Sequence, residues 1–117
     1  MQRSLYEKKH LGLYQKFKAL HKAEIGILKH SGLKIGKELH IMDVDLGDEE
    51  DNYIHTITCG DPKNPPLLLV HGYAGAAIFF YMTLKELSKH FKVYAIDFIG
   101  NGSSKRCKFN IRDPLET

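Results

Sequence analysis

Apolar residues recur at three-to-four spacing across residues 4 to 30. Leu13, Phe17, Leu20 and Ile27 lead this stripe with Tyr14 and Leu28 alongside, while Lys9, Lys16, Lys18, Lys22 and Lys29 mostly lie off it. That period predicts an amphipathic helix, and Ser31-Gly32 offers its stop. Residues 37 to 47 then alternate as a strand, with Leu39, Ile41, Val44 and Leu46 apolar. An acidic turn follows at 48 to 52, and Tyr53 to Thr58 is a second strand rich in β-branched residues. The GDPKNPP cluster, residues 60 to 66, is a turn. Pro66 to Val70 is continuously apolar, the pattern of a parallel strand covered on both faces. Ile78 to His90 reads as a helix with Phe80, Leu84 and Leu87 on one stripe, and Lys92 to Ile99 as another buried strand.

The predicted order is helix, strand, strand, strand, helix, strand. Two antiparallel strands leading into a strand–helix–strand unit describe the opening of a mixed α/β sheet, with the crossover right-handed. Functional loops in such sheets follow the carboxyl ends of the parallel strands. Here those ends are His71-Gly72-Tyr73 and Asp97 to Ser104, and both loops carry glycines.

Composition narrows the picture only a little. At 117 residues, with 43% hydrophobic and 26% charged residues, the chain has the make-up of one ordinary globular domain or part of one. No apolar run is long enough to span a membrane. Charge is unevenly placed. Residues 1 to 37 carry nine basic residues against two acidic ones, and residues 38 to 117 carry eight against twelve. The basic end is either a solvated helix face or a surface for anionic lipid or an acidic partner; no nucleic-acid partner is expected. Cys59 and Cys107 have no nearby companion, which argues against a disulfide framework. The seven histidines form no HxxxH pair and none lies close to a cysteine, so no metal site and no cofactor are expected. The N-terminus lacks the apolar core of a secretory signal. The cytoplasm is therefore the expected compartment, with mitochondrial or lipid-droplet and membrane association as alternatives.

Two motifs carry a resemblance. LLLVHGYAGA, residues 67 to 76, resembles the HG-aromatic-x-G segment after the third strand of α/β-hydrolase-fold proteins. DFIGNGSS, residues 97 to 104, resembles that fold's D-x-x-G-x-G-x-S turn after the fourth strand. The resemblance covers about residues 37 to 106. It implies an α/β fold, the N-terminal part of an α/β-hydrolase fold with strands one to four and the first helix. Residues 1 to 36 would be a basic amphipathic helical extension, and residues 37 to 117 the N-terminal part of the hydrolase domain. The AEIGILKHSG segment, the Tyr-Ala-Ile-Asp strand and the aromatic helix start are similar to the subfamily of lysophospholipases, lipid-droplet lipase coactivators and mitochondrial cardiolipin deacylases.

The resemblance implies an oxyanion loop at His71 and Gly72, with the backbone N–H of Tyr73 as a donor to the negative oxygen of an acyl-transfer intermediate. His71 would brace the loop, and Asp97, Gly100, Gly102 and Ser104 would hold a structural turn. Without the resemblance, Gly72 and Gly75 are turn glycines and His71 a satisfied buried histidine. A dinucleotide reading of Gly100 and Gly102 fails because Lys105 stands where the third glycine belongs.

The nucleophile elbow G-x-S-x-G is absent, and triad residues in this fold follow the fourth strand in chain order. The expected function is therefore the N-terminal portion of a lipid acyl-ester hydrolase of lysophospholipase or acylglycerol-lipase type, inactive alone. The alternative is a non-catalytic interaction subunit on a truncated hydrolase fold. In either case Leu67 to Val70 is an open apolar edge, expected to pair with a protein partner or with the missing C-terminal half.

Overall fold

The computed structural model describes residues 11–48 and 52–106, with side chains from residue 18 onward. Its elements are helix α1 (Leu11–Leu28), strands β1 (Leu39–Asp45), β2 (Tyr53–Cys59) and β3 (Pro66–Val70), a 3-10 turn (Ala77–Phe80), helix α2 (Leu84–Ser88) and strand β4 (Lys92–Ile96). The strands form one mixed sheet in the order β1-β2-β4-β3. β1 pairs antiparallel with β2 and β2 antiparallel with β4, while β3 and β4 run parallel, Leu67 opposite Val93 and Leu69 opposite Ala95. This is the strand arrangement that the resemblance implies for the N-terminal part of an α/β-hydrolase sheet.

The core is apolar where strands and helices meet. Leu28 of α1, Leu39 of β1, Ile57 of β2, Leu84 of α2 and Val93 of β4 are fully buried. Each such side chain contributes roughly 1.5–3 kcal/mol by leaving water.

Three expectations need correction. The first concerns the phase of β1. Side chains in a strand alternate faces, so the inward face of buried Leu39 and half-buried Ile41 carries on to Asp43, which is 6% exposed, while Val44 and Leu46 face outward. A carboxylate takes the inward position because partners await it there.

The second concerns α1. Leu20 and Ile27, read as the packing stripe, are 42% and 39% exposed, and the inward face is His21, Glu24 and Leu28. The stripe's other members, Leu13, Tyr14 and Phe17, have side chains outside the described residues, as does the predicted helix over residues 4 to 10.

The third concerns the segment 78–90, which is two short pieces and not one helix. Tyr81 and Thr83 donate their amides to Ile78 and Phe80 in i→i+3 fashion, and the Thr83 hydroxyl also bonds the Phe80 carbonyl at 2.9 Å. The chain tightens to 3-10 geometry there and restarts as α2 at Leu84. Leu84 nonetheless remains buried, with Phe80 and Leu87 packed against the core.

Strand β3 lies at the sheet edge and among the described residues pairs with β4 alone. Leu68 and Val70 stand exposed, so the double coverage predicted for this strand is not present among those residues.

Candidate functional site

The loops after β3 and β4 face each other across an open cleft of about 480 Å³, lined by His71, Gly72, Tyr73, Ala74, Phe98 and Asn101. His71 joins them. Its Nε2 accepts the Phe98 amide at 3.0 Å, and its Nδ1 lies 2.8 Å from the Gly72 carbonyl. An acceptor at Nε2 puts the proton on Nδ1, which donates to Gly72. Phe98 closes over the ring edge-on, with centroids 4.8 Å apart. Both nitrogens of His71 are thus used in holding the loop.

Tyr73 is fully exposed, and among the described residues no acceptor engages its amide. The glycines beside it serve differently from expectation. The left-handed residue in this loop is Ala74, at φ 55°. A Cβ on Gly72 would meet open space, so its presence answers no steric demand among the described residues. A Cβ on Gly75 would press at 3.1 Å on both the Gly72 carbonyl and the His71 Cβ. Gly75, whose amide also bonds the Gly72 carbonyl, is the residue that lets the loop fold tightly over His71.

The second loop is organised by Asp97, which is 1% exposed. One carboxylate oxygen accepts the Ala77 amide at 2.7 Å and the other the Ser103 amide at 2.9 Å. The Ser104 hydroxyl donates to the Asp97 carbonyl at 2.6 Å and accepts the His55 amide at 2.8 Å. Gly100 and Gly102 both have positive φ, and a Cβ on Gly102 would collide with the Asp97 carboxylate. Asp97 therefore binds the β4 turn to the segment after the Tyr73 loop. Ser103 and Ser104 are buried within this turn. Cys59 is also buried, which pushes its thiol pKa up; Cys107 lies outside the described residues.

A third cluster escaped the sequence reading. His55 on β2 is buried and lies 2.7 Å from both Asp43 of β1, at Nδ1, and Glu24 of α1, at Nε2. His21 packs edge-on against it at 5.3 Å between ring centroids. Burial, the largest single effect, draws the His55 pKa down. The hydrogen bonds and charges of Asp43 and Glu24 outweigh it and push the pKa up to about 10. Two signals were present in the sequence: His21 and Glu24 at i, i+3 on one helix face, and Asp43 in phase with Leu39 and Ile41. Neither resembles the short spacings by which metal or catalytic histidines are usually recognised.

The backbone has known counterparts. A putative lipase from Acinetobacter baumannii superposes with a TM-score of 0.61 at 21% identity, over 78% of this chain and 28% of the lipase. A Bacillus subtilis carboxylesterase gives 0.60 at 22%, over 74% and 28%. A bacterial membrane phospholipase A gives 0.56 at 20%, over 90% and 30%. Residues 65–113, from β3 through the Asp97 turn and beyond, match the alpha/beta hydrolase fold family. The described residues have the N-terminal part of the alpha/beta hydrolase fold.

Within this fold the chain is also similar to proteins with a named lipid activity. A probable 1-acylglycerol-3-phosphate O-acyltransferase of rice is 37% identical over 70 residues, 59% of this chain and 17% of the relative. The corresponding Arabidopsis thaliana acyltransferase is 39% identical over 69 residues, 58% of this chain and 16% of the relative. The hydrolase-fold chain described here thus spans about a sixth of the length of these relatives. Among its described residues no helix is long and apolar enough to cross a membrane.

Proposed function

We propose that this chain supplies the oxyanion loop and the first strands of an α/β-hydrolase-fold protein acting on acyl esters of lipids. The observation that carries the reading is the Tyr73 amide, unengaged among the described residues on a loop whose neighbouring histidine is locked from both nitrogens. Attack on an acyl carbonyl builds negative charge on its oxygen. A preorganised N–H stabilises that charge, and loss of one such donor costs about 2.7–4 kcal/mol in characterised enzymes.

The esterase, lipase and phospholipase neighbours and the acyltransferase relatives support acyl-ester chemistry. Lysophospholipids and acylglycerols are the proposed substrate class, with the acyl group passing to water or to another lipid's hydroxyl. Triad residues follow the fourth strand in this fold, so the nucleophile, acid and base come from polypeptide seated on the β3 edge. The outer face of α1, with Leu20 and Ile27 beside exposed Lys22 and Lys29, suits an anionic lipid surface. A second reading, a non-catalytic interaction subunit, is favoured by the exposed apolar side chains of Leu68 and Val70 on the edge strand β3.

The test separates backbone from side chain. In the complete gene product, or the complex with which it purifies, Tyr73→Pro removes the N–H and Tyr73→Ala retains it. Hydrolysis of a p-nitrophenyl ester and of a lysophospholipid is measured for both. Tyr73→Pro is expected to lower kcat about 10²–10³-fold, with KM changed far less; Tyr73→Ala should stay within a few-fold of the parent. Equal effects from the two variants would discard the oxyanion role, and a wholly inactive parent would favour the interaction subunit.

A further inference from the structure

Helix α1 turns two potential ligands inward in place of the apolar face expected of it. His21 and Glu24, each 7% exposed, meet His55 of β2, and one ligand atom from each of the three lies within 4.8 Å of the others. We propose that His21, Glu24 and His55 form a binding site for a divalent transition-metal ion of the zinc class, with Asp43 orienting His55. The inference is independent of the acyl-ester reading.

The donor set selects the ion. Two imidazoles and one carboxylate suit zinc and its neighbours, whereas calcium and magnesium prefer oxygen ligands. Around a tetrahedral ion with bonds of about 2.1 Å, ligand atoms sit about 3.4 Å apart. His55 Nε2 and Glu24 Oε1, now 2.7 Å apart, need to part by less than about 1 Å to admit it.

The outer contact is already in place. Asp43 Oδ1 lies 2.7 Å from His55 Nδ1, which points Nε2 at the site. A carboxylate behind a ligating histidine is the usual device for fixing ring orientation and raising ligand basicity. The two carboxylates also match the ion's two charges, so a loaded cluster of Glu24, Asp43, neutral histidines and ion carries no net charge in the interior. Binding releases the Nε2 proton of His55 to solvent.

Glu24 also lines a cleft of about 80 Å³ with Leu20, Ile27, Ala76 and Ser103. The cleft has room for a water beside Glu24, and the buried Ser103 hydroxyl, which has no partner among the described residues, lies in its wall. The ion would bind α1 to β1 and β2 directly beneath the Asp97 turn, because the His55 amide bonds Ser104 and its carbonyl accepts the Asp97 amide at 3.0 Å. Its role would be to hold the floor of the loop pair.

The experiment uses the complete protein, freed of metal by chelation and titrated with zinc alone and then cobalt alone. One equivalent of zinc should bind and raise Tm, and cobalt should give the intense visible bands of a four-coordinate site. His21→Ala, Glu24→Gln and Asp43→Asn should each weaken zinc binding about tenfold or more. His40→Ala, at an exposed position of β1, should leave it unchanged. Circular dichroism checks that each variant folds. Should His21→Ala or Glu24→Gln fail to fold, the parent's zinc stoichiometry and cobalt spectrum decide. Absence of a Tm shift and of cobalt bands at micromolar ion overturns the proposal, as does zinc affinity unchanged in folded His21→Ala and Glu24→Gln.

Discussion

At the β1–β2 end of the sheet, α1 closes over the strands, and a buried histidine meets carboxylates from two other elements. At the β3 end, Leu68 and Val70 lie open, and the loops beyond expose Tyr73, Phe79 and Met82. One end is finished by polar contacts specific enough that removing a partner is costly. The other presents apolar area that does nothing for the stability of the described residues. The contrast separates residues that hold this sheet together from residues suited to contacts outside it, and each side can be challenged.

The largest effect is expected at the closed end. Replacing His55 with leucine leaves Glu24 and Asp43 buried without their cation, a change that costs about 3–5 kcal/mol when one partner of a buried pair is lost. Urea unfolding of the complete protein should show it as a lower midpoint. If the midpoint holds, the cluster does not secure α1.

The same cation can be removed by pH, with chelator present to keep the site metal-free. The folded pKa of His55, about 10, lies above its ordinary value of 6.5. Its contribution to stability is therefore fully present below pH 6.5 and is lost as pH rises through 10. The groups facing it are His21 and Glu24 from α1 and Asp43 from β1. Stability measured from pH 6.5 to 10 should fall in the parent and fall much less in Glu24→Gln. Parallel profiles would count against the pairing.

Adjacent residues on α1 sharpen the comparison. Leu28 is fully buried and Ile27 is 39% exposed. Leu28→Ala should cost about 2–5 kcal/mol by opening a cavity, whereas Ile27→Ala should cost less than about 1 kcal/mol. The order would invert if Leu20 and Ile27 formed the packing face. Ile27→Asp should instead reduce co-sedimentation with anionic vesicles, if the outer face meets lipid.

The smallest effect on stability belongs to the open end. Leu68→Lys on the exposed face of β3 should change unfolding free energy by less than about 0.5 kcal/mol. It should nevertheless suppress self-association of residues 1–117 seen by analytical ultracentrifugation, because charged residues on an edge discourage strand pairing. A large loss of stability would mean that Leu68 already packs within this chain.

The strands, their order of appearance and both loops were legible in the residues. The β-branched content of Tyr53 to Thr58, the unbroken run at Leu67 to Val70 and the glycine signatures around Tyr73 and Asp97 are local patterns, and hydrogen-bond geometry converts them directly into strands and turns. What spacing could not decide was which face of each element turns inward. Asp43 and Glu24 are buried, and Leu20 and Val44 exposed, because His55 offers two acidic side chains a paired interior position that no apolar pattern announces. Gly75 and Gly102 matter because of what stands where a Cβ would go, His71 and the Gly72 carbonyl in one case and the Asp97 carboxylate in the other. Apolar periodicity records the average preference of a side chain for water. Burial of a charge depends on partners brought from other elements, so only the assembled tertiary structure determines it.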